Sequence, residues 1–138
     1  SSAEDARVAA IDSYSETEHI LTNESLHTPP AIPFGTEPAH DWCYYYQKAA
    51  LARQVGDWDE VARLGNEARS LGLSAGDPIE WMPFLQAAAY LNDPVRVDEL
   101  APFLTSDSFL AKQACQILTA MPLSSSMLDQ VNQLFCVR

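Results

Sequence analysis

The chain has 138 residues with 8 basic and 19 acidic side chains, a formal net charge of −11, and 47% hydrophobic residues. That length suits one domain burying roughly two-thirds of its unfolded surface, and the apolar fraction excludes disorder of the whole chain. Nucleic acid is excluded as a partner by the shortage of Lys and Arg to neutralise phosphates. Membrane insertion by this segment is excluded too, because the longest nearly apolar run, Trp81 to Leu91, falls short of the about 18 residues a span needs. Ser1 to Ile11 is polar and acidic, where a secretory signal is basic and then apolar. A soluble acidic domain is expected, and with no Met at its start, a piece of a longer protein.

Residues 1–41 carry eight acids (Glu4, Asp5, Asp12, Glu16, Glu18, Glu24, Glu37, Asp41) against Arg7, a net −7, whereas 42–138 carry eleven acids and seven bases, a net −4. Ala3 to Leu21 reads as a helix with a thin apolar face. Thr28 to Pro38 holds four of the nine prolines and reads as an extended linker or strap, since proline removes a backbone donor and restrains its predecessor. The expected organisation is an acidic, Pro-rich N-terminal segment over 1–37 and a helical domain over 38–138.

From Asp41 onward the pattern is helical and punctuated. Asp41 caps a helix from Trp42 to Val55 with Tyr45, Ala49 and Ala52 on its buried stripe. Gly56 stops it, and Asp57 with Glu60 forms a capping-box-like pair opening a second helix along Val61, Leu64, Ala68 and Leu71. Gly72 ends that one. Asp77-Pro78-x-Glu80 starts a third helix through Phe84, Leu85, Ala88 and Leu91. Asp93-Pro94 starts a fourth along Val97, Leu100 and Leu104. Ser106 or Asp107 opens a fifth, running to Met121, and Ser124 to Ser126 cap a sixth, carrying Met127, Leu128, Val131, Leu134 and Phe135. No segment alternates with period two, so the fold class is all-α with about six helices.

Tyr45–Ala68 aligns with Trp81–Leu104 at a constant offset of 36 residues, Gly56-Asp57 meeting Asn92-Asp93. Two helices per unit at such a period is the signature of helical-hairpin repeats. The stretch Ala49-x-x-Ala52-x-x-x-Gly56-Asp57-Trp58-Asp59-Glu60-Val61 resembles the tetratricopeptide repeat, except that Gly65 stands where that family usually has a large aromatic. The resemblance implies α-α hairpins in a right-handed superhelix, with the last two helices a divergent hairpin or cap. A second resemblance rests on Glu37-Pro38-x-His40-x-Trp42-Cys43-Tyr44-Tyr45-Tyr46, Gly56-Asp57-Trp58, Pro78-Ile79-Glu80-Trp81-Met82-Pro83-Phe84-Leu85-Gln86 and Gln113-Ala114-Cys115. This string is similar to the soluble C-terminal region of bacterial multi-pass membrane proteins, some glycosyltransferase-like in their membrane part. It implies an accessory role beside a membrane domain.

The chemistry-bearing residues have plain structural readings. His19, His27 and His40 are spaced without any forced convergence, so no metal site is expected. His40-Asp41-x-Cys43 has the residue types of an activated thiol, but Asp41 is accounted for as a cap. Asp57, Asp59 and Glu60 are accounted for by capping and the helix dipole. Asn23-Glu24-Ser25 matches a glycosylation sequon of a kind common by chance. Cys43, Cys115 and Cys136 match no metal-ligand spacing and read as buried thiols; a Cys115–Cys136 bridge requires an oxidising compartment. No catalytic residue and no cofactor is expected.

Consecutive helical residues point about 100° apart, so Tyr44, Tyr45 and Tyr46 cannot share one buried face. Tyr45 takes the core. Tyr46, Ala50, Arg53 and Gln54 then mark a concave face, continued in the second unit by Met82, Gln86, Ala89 and Tyr90. Left exposed, that stripe suits recognition of a protein or peptide, with aromatic anchors and amide or guanidinium donors; covered by the N-terminal strap or the last hairpin, it is ordinary core. The expected function is a non-enzymatic interaction module, accessory to a membrane protein. Its rival is a regulatory or sugar-contacting domain of a glycosyltransferase-like membrane enzyme.

Overall fold

The computed structural model describes residues 31–36 and 38–136. The chain divides into two units, Ser1–Pro38 and Ala39–Arg138. In the first, a single helical turn spans Ala31–Phe34; the helix expected over Ala3–Leu21 with His19, the sequon Asn23-Glu24-Ser25 and His27 lie outside the described residues. The second unit contains α1 (Trp42–Gln54), α2 (Trp58–Ser70), a 3-10 turn (Pro78–Trp81) running into α3 (Met82–Tyr90), α4 (Pro94–Thr105), α5 (Ser108–Thr119) and α6 (Ser125–Val131), which widens into a π-helical turn at Asn132–Cys136. No strand occurs among the described residues, and the fold is all-α.

Aspartates start the first four helical segments. Their short side chains accept the backbone N–H groups that a first turn leaves without partners: Asp41 from Tyr44 at 3.2 Å, Asp57 from Glu60 at 3.1 Å, Asp77 from Ile79 at 3.1 Å and Asp93 from Arg96 at 3.0 Å. Asp41 and Asp77, like Asp57 and Asp93, stand 36 residues apart. The turns between helices correspond as well: Gly56 and Asn92 take left-handed conformations (φ 74° and 57°). Asn is among the few L-residues that tolerate that region.

Several boundary details differ from expectation. α1 ends at Gln54 rather than Val55, and Leu71, expected on the buried stripe of α2, lies exposed just past its end. Asp57 and Glu60 form no reciprocal box, because Arg63 takes the Glu60 carboxylate at 2.6 and 2.8 Å. The complete box is Asp77 with Glu80. α5 ends at Thr119 rather than Met121; the Thr119 hydroxyl donates to the Cys115 carbonyl at 2.7 Å.

The second unit is built around α3, of which every residue from Met82 to Ala89 is buried. α2 and α4 flank it, with α1 and α5 also against it. A helix apolar all round belongs inside. Gly65 of α2 makes room for Phe84 of α3: a Cβ built there would meet the Phe84 ring at 2.6 Å.

The cysteines correct the reading of buried thiols. Cys115 and Cys136 are joined in a disulfide that ties α5 to the C-terminal turn, with their Cα atoms 5.2 Å apart. Cys43 is exposed, since it lies about 100° from the Trp42 and Tyr45 stripe and shares the outer face of α1 with Gln47, Leu51 and Gln54.

Candidate functional site

The expected concave face is not an open groove. Its first-unit residues Tyr46, Ala50 and Arg53 are half-buried on α1, whereas Gln54 is turned outward. Its second-unit residues Met82, Gln86 and Ala89 are 3%, 7% and 1% exposed. Of the two alternatives, the covered one describes Met82, Gln86 and Ala89 on α3, with Arg53 of α1 and the turn after α5 lying against Gln86. Gln86 marks the closure. Its amide oxygen accepts from Arg53 Nη1 at 3.0 Å and its amide nitrogen meets Met121 Sδ at 3.7 Å. The apolar run Trp81 to Leu91 was the available signal, since a helix without a polar face has no side to leave in water.

Tyr90, at the end of α3, is the member of that set that emerges. It is 45% exposed, with its ring 5.4 Å from that of Trp58 at the start of α2. The contact joins the turn between α1 and α2 to the turn between α3 and α4. Around it, Val55 is 62%, Leu91 38% and Val95 67% exposed. Turns usually carry polar residues and glycine, so four exposed apolar side chains along two adjacent turns form an unusual edge. Trp58 came out of the repeat motif alone and Val55 and Val95 from no motif; their signal is an apolar residue beside a turn.

Next to this edge, Leu91 also lines a cleft of about 70 Å³ between α2 and α3, floored by Ala62, Gly65, Phe84 and Ala88 and rimmed by Asn66, Asp93 and Arg96. A wider, shallower hollow of about 520 Å³ lies along α5, beside the disulfide and Lys112.

The remaining candidates resolve into structural roles. The His40 ring stacks on Tyr44 with centroids 3.5 Å apart, while Cys43 Sγ accepts from Gln47 Nε2 at 3.2 Å; the two are not brought together as base and nucleophile. Asp59 and Asp57 stay exposed. No group of three or more potential metal ligands occurs among the described residues. The perturbed ionisable groups belong to one network. Glu67 accepts from Tyr45 Oη at 3.1 Å and from Arg63 Nη1 at 2.7 Å. The Arg63 hydrogen bond holds the Glu60 carboxyl below its ordinary range, and Glu60 with Glu67 raises the Arg63 guanidinium further. Burial, then the hydrogen bond to Glu67, pushes the Tyr45 phenol up. Through Tyr45 and Glu67 the network links α1 to α2.

No helix among the described residues is long and apolar enough to cross a membrane. Compared with the sequence patterns of known families, with curated proteins and with solved structures, the chain matches none of them.

Proposed function

We propose that residues 39–136 form a non-enzymatic protein-interaction module, an accessory domain of a membrane-embedded protein. The observation that carries this reading is the Trp58–Tyr90 pair, held at the surface by two rigid helix ends with Tyr90 45% exposed. Aromatic side chains on fixed elements are the usual anchors of protein interfaces, because their large area is buried at little conformational cost. The 36-residue correspondence of caps and turns supports the tetratricopeptide-like reading of the two hairpins. The longer string from Glu37 to Cys115 supports the accessory role beside a membrane part.

Exposed aromatic rings also stack on sugars, so the rival reading meets the same test. The 138-residue chain is screened against a displayed peptide library and an oligosaccharide panel, with Tyr90→Ala alongside. The module reading expects peptide ligands that Tyr90→Ala loses. It fails if oligosaccharides alone bind, or if nothing binds.

A further inference from the structure

The edge that carries Trp58 and Tyr90 has a charge as well as an apolar surface. Asp57 and Asp59 lie in its first turn, Asp93 in its second, and all three are exposed. None of the three is in an ion pair among the described residues. The nearby cations are committed elsewhere: Arg53 donates to Gln86, and Arg96, with its side chain only 15% exposed, pairs with Glu99 at 2.8 Å. A partner therefore meets apolar side chains interleaved with carboxylates that no cationic side chain pairs among the described residues. The turn between α5 and α6 meets the turn between α3 and α4, Ser124 Oγ donating to Asn92 Oδ1 at 2.6 Å, so the edge is braced.

We infer that this edge docks a cationic amphipathic segment of a partner protein, its apolar side chains against Val55, Tyr90, Leu91 and Val95 and its Lys or Arg residues against Asp57, Asp59 and Asp93. The inference rests on the interaction-module reading and adds the partner's chemistry to it. Apolar anchors supply the affinity in such a contact. Opposite charge sets the choice of partner and speeds the encounter, while like charge repels wrong partners. The same carboxylates oppose adsorption to an anionic lipid surface and face each other unfavourably if two copies of this edge approach. A basic protein segment is the occupant that satisfies both the apolar and the charged parts.

The test is a titration of the full 138-residue chain, followed by amide chemical shifts. The probes are two synthetic helical peptides with the same leucine pattern, one with lysine and the other with glutamate on the polar face. The lysine peptide is expected to shift residues around Val55, Trp58, Tyr90 and Val95, and to bind at least about tenfold more tightly than the glutamate peptide. Val95→Ser is expected to weaken it about fivefold, and Asp59→Asn about threefold. Gln47→Lys changes the net charge by the same amount as Asp59→Asn on the outer face of α1 and is expected to leave affinity within about twofold. Neither Asp59 nor Val95 is a cap or core residue, so both variants keep the fold.

Equal binding of the two peptides overturns the cationic assignment and leaves the module reading standing. Shifts elsewhere, or indifference to Val95→Ser, overturn the site. Shifts at these residues that grow with protein concentration alone make the occupant a second copy and overturn the inference. If neither peptide binds, the inference fails; the module reading fails with it only when the peptide library also yields no ligand.

Discussion

The indole of Trp42 donates its Nε1 hydrogen to the carboxylate of Glu80 at 2.8 Å, joining the first turn of α1 to the 3-10 turn that opens α3 across 38 residues of sequence. The same Glu80 oxygen accepts from the backbone N–H of Gly76 at 3.2 Å and lies 3.5 Å from that of Asp77. One carboxylate thus closes a capping box and satisfies a nearly buried indole.

Glu80→Ala is expected to lose about 2 kcal/mol, the cost of removing a charged acceptor from a buried donor. Glu80→Gln keeps a carbonyl oxygen for the indole and is expected to lose about half of that. Denaturant unfolding measures both. A double-mutant cycle with Trp42→Phe should show a coupling of about 1 kcal/mol; additive losses would mean the bond contributes nothing.

Gly65→Ala sets two effects against each other. Alanine favours a helix over glycine by about 1 kcal/mol, but its Cβ would lie 2.6 Å from Cδ1 and 3.1 Å from Cε1 of the buried Phe84 ring. Overpacking of that kind costs about 1–3 kcal/mol, so the variant is expected to be less stable by about 1 kcal/mol. In a Phe84→Leu background the ring is gone and the same substitution should become neutral or stabilising, as thermal unfolding of the four proteins would report.

Tyr45→Phe removes the hydroxyl that donates to Glu67 and is expected to lower stability at neutral pH. The folded phenol titrates above its ordinary value, so the unfolded chain gives up this proton first as pH rises. The contribution is therefore fully present below about pH 10 and is lost as pH climbs through the folded value. Stability curves from pH 8 to 11 should fall less steeply for Tyr45→Phe than for the parent; parallel curves would refute the assignment.

Removing the Cys115–Cys136 bridge frees a 21-residue loop and is expected to cost about 3 kcal/mol. Cys115→Ser with Cys136→Ser, or reduction of the parent, should lower the melting temperature by similar amounts. Cys43→Ser should leave it unchanged, since that thiol is exposed and outside the bridge.

Helix starts were legible in the sequence because an aspartate before a helix has one dominant use, and Asp41, Asp57, Asp77 and Asp93 each serve it. The buried stripes of α1 and α4, and that of α2 apart from Leu71, which is 59% exposed at the helix end, were legible for a similar reason: apolar spacing names a face. What periodicity cannot name is how many faces are covered. Met82, Gln86 and Ala89 lie about a quarter turn around α3 from Leu85 and Ala88, and what covers that side, with Arg53 and Met121 both on Gln86, is settled by tertiary packing. Cys115 and Cys136 illustrate the same limit, since a 21-residue spacing says nothing about whether two helix ends meet.

The placement of α3 governs how the domain comes apart. In a stacked array each hairpin meets only its neighbours, so stability adds up unit by unit and the ends open first. Here the innermost helix lies third in the chain and is enclosed by segments synthesised both before and after it. No hairpin can leave without opening that interior to water, so residues 39–136 are expected to unfold in a single transition, with coincident far- and near-ultraviolet circular dichroism curves.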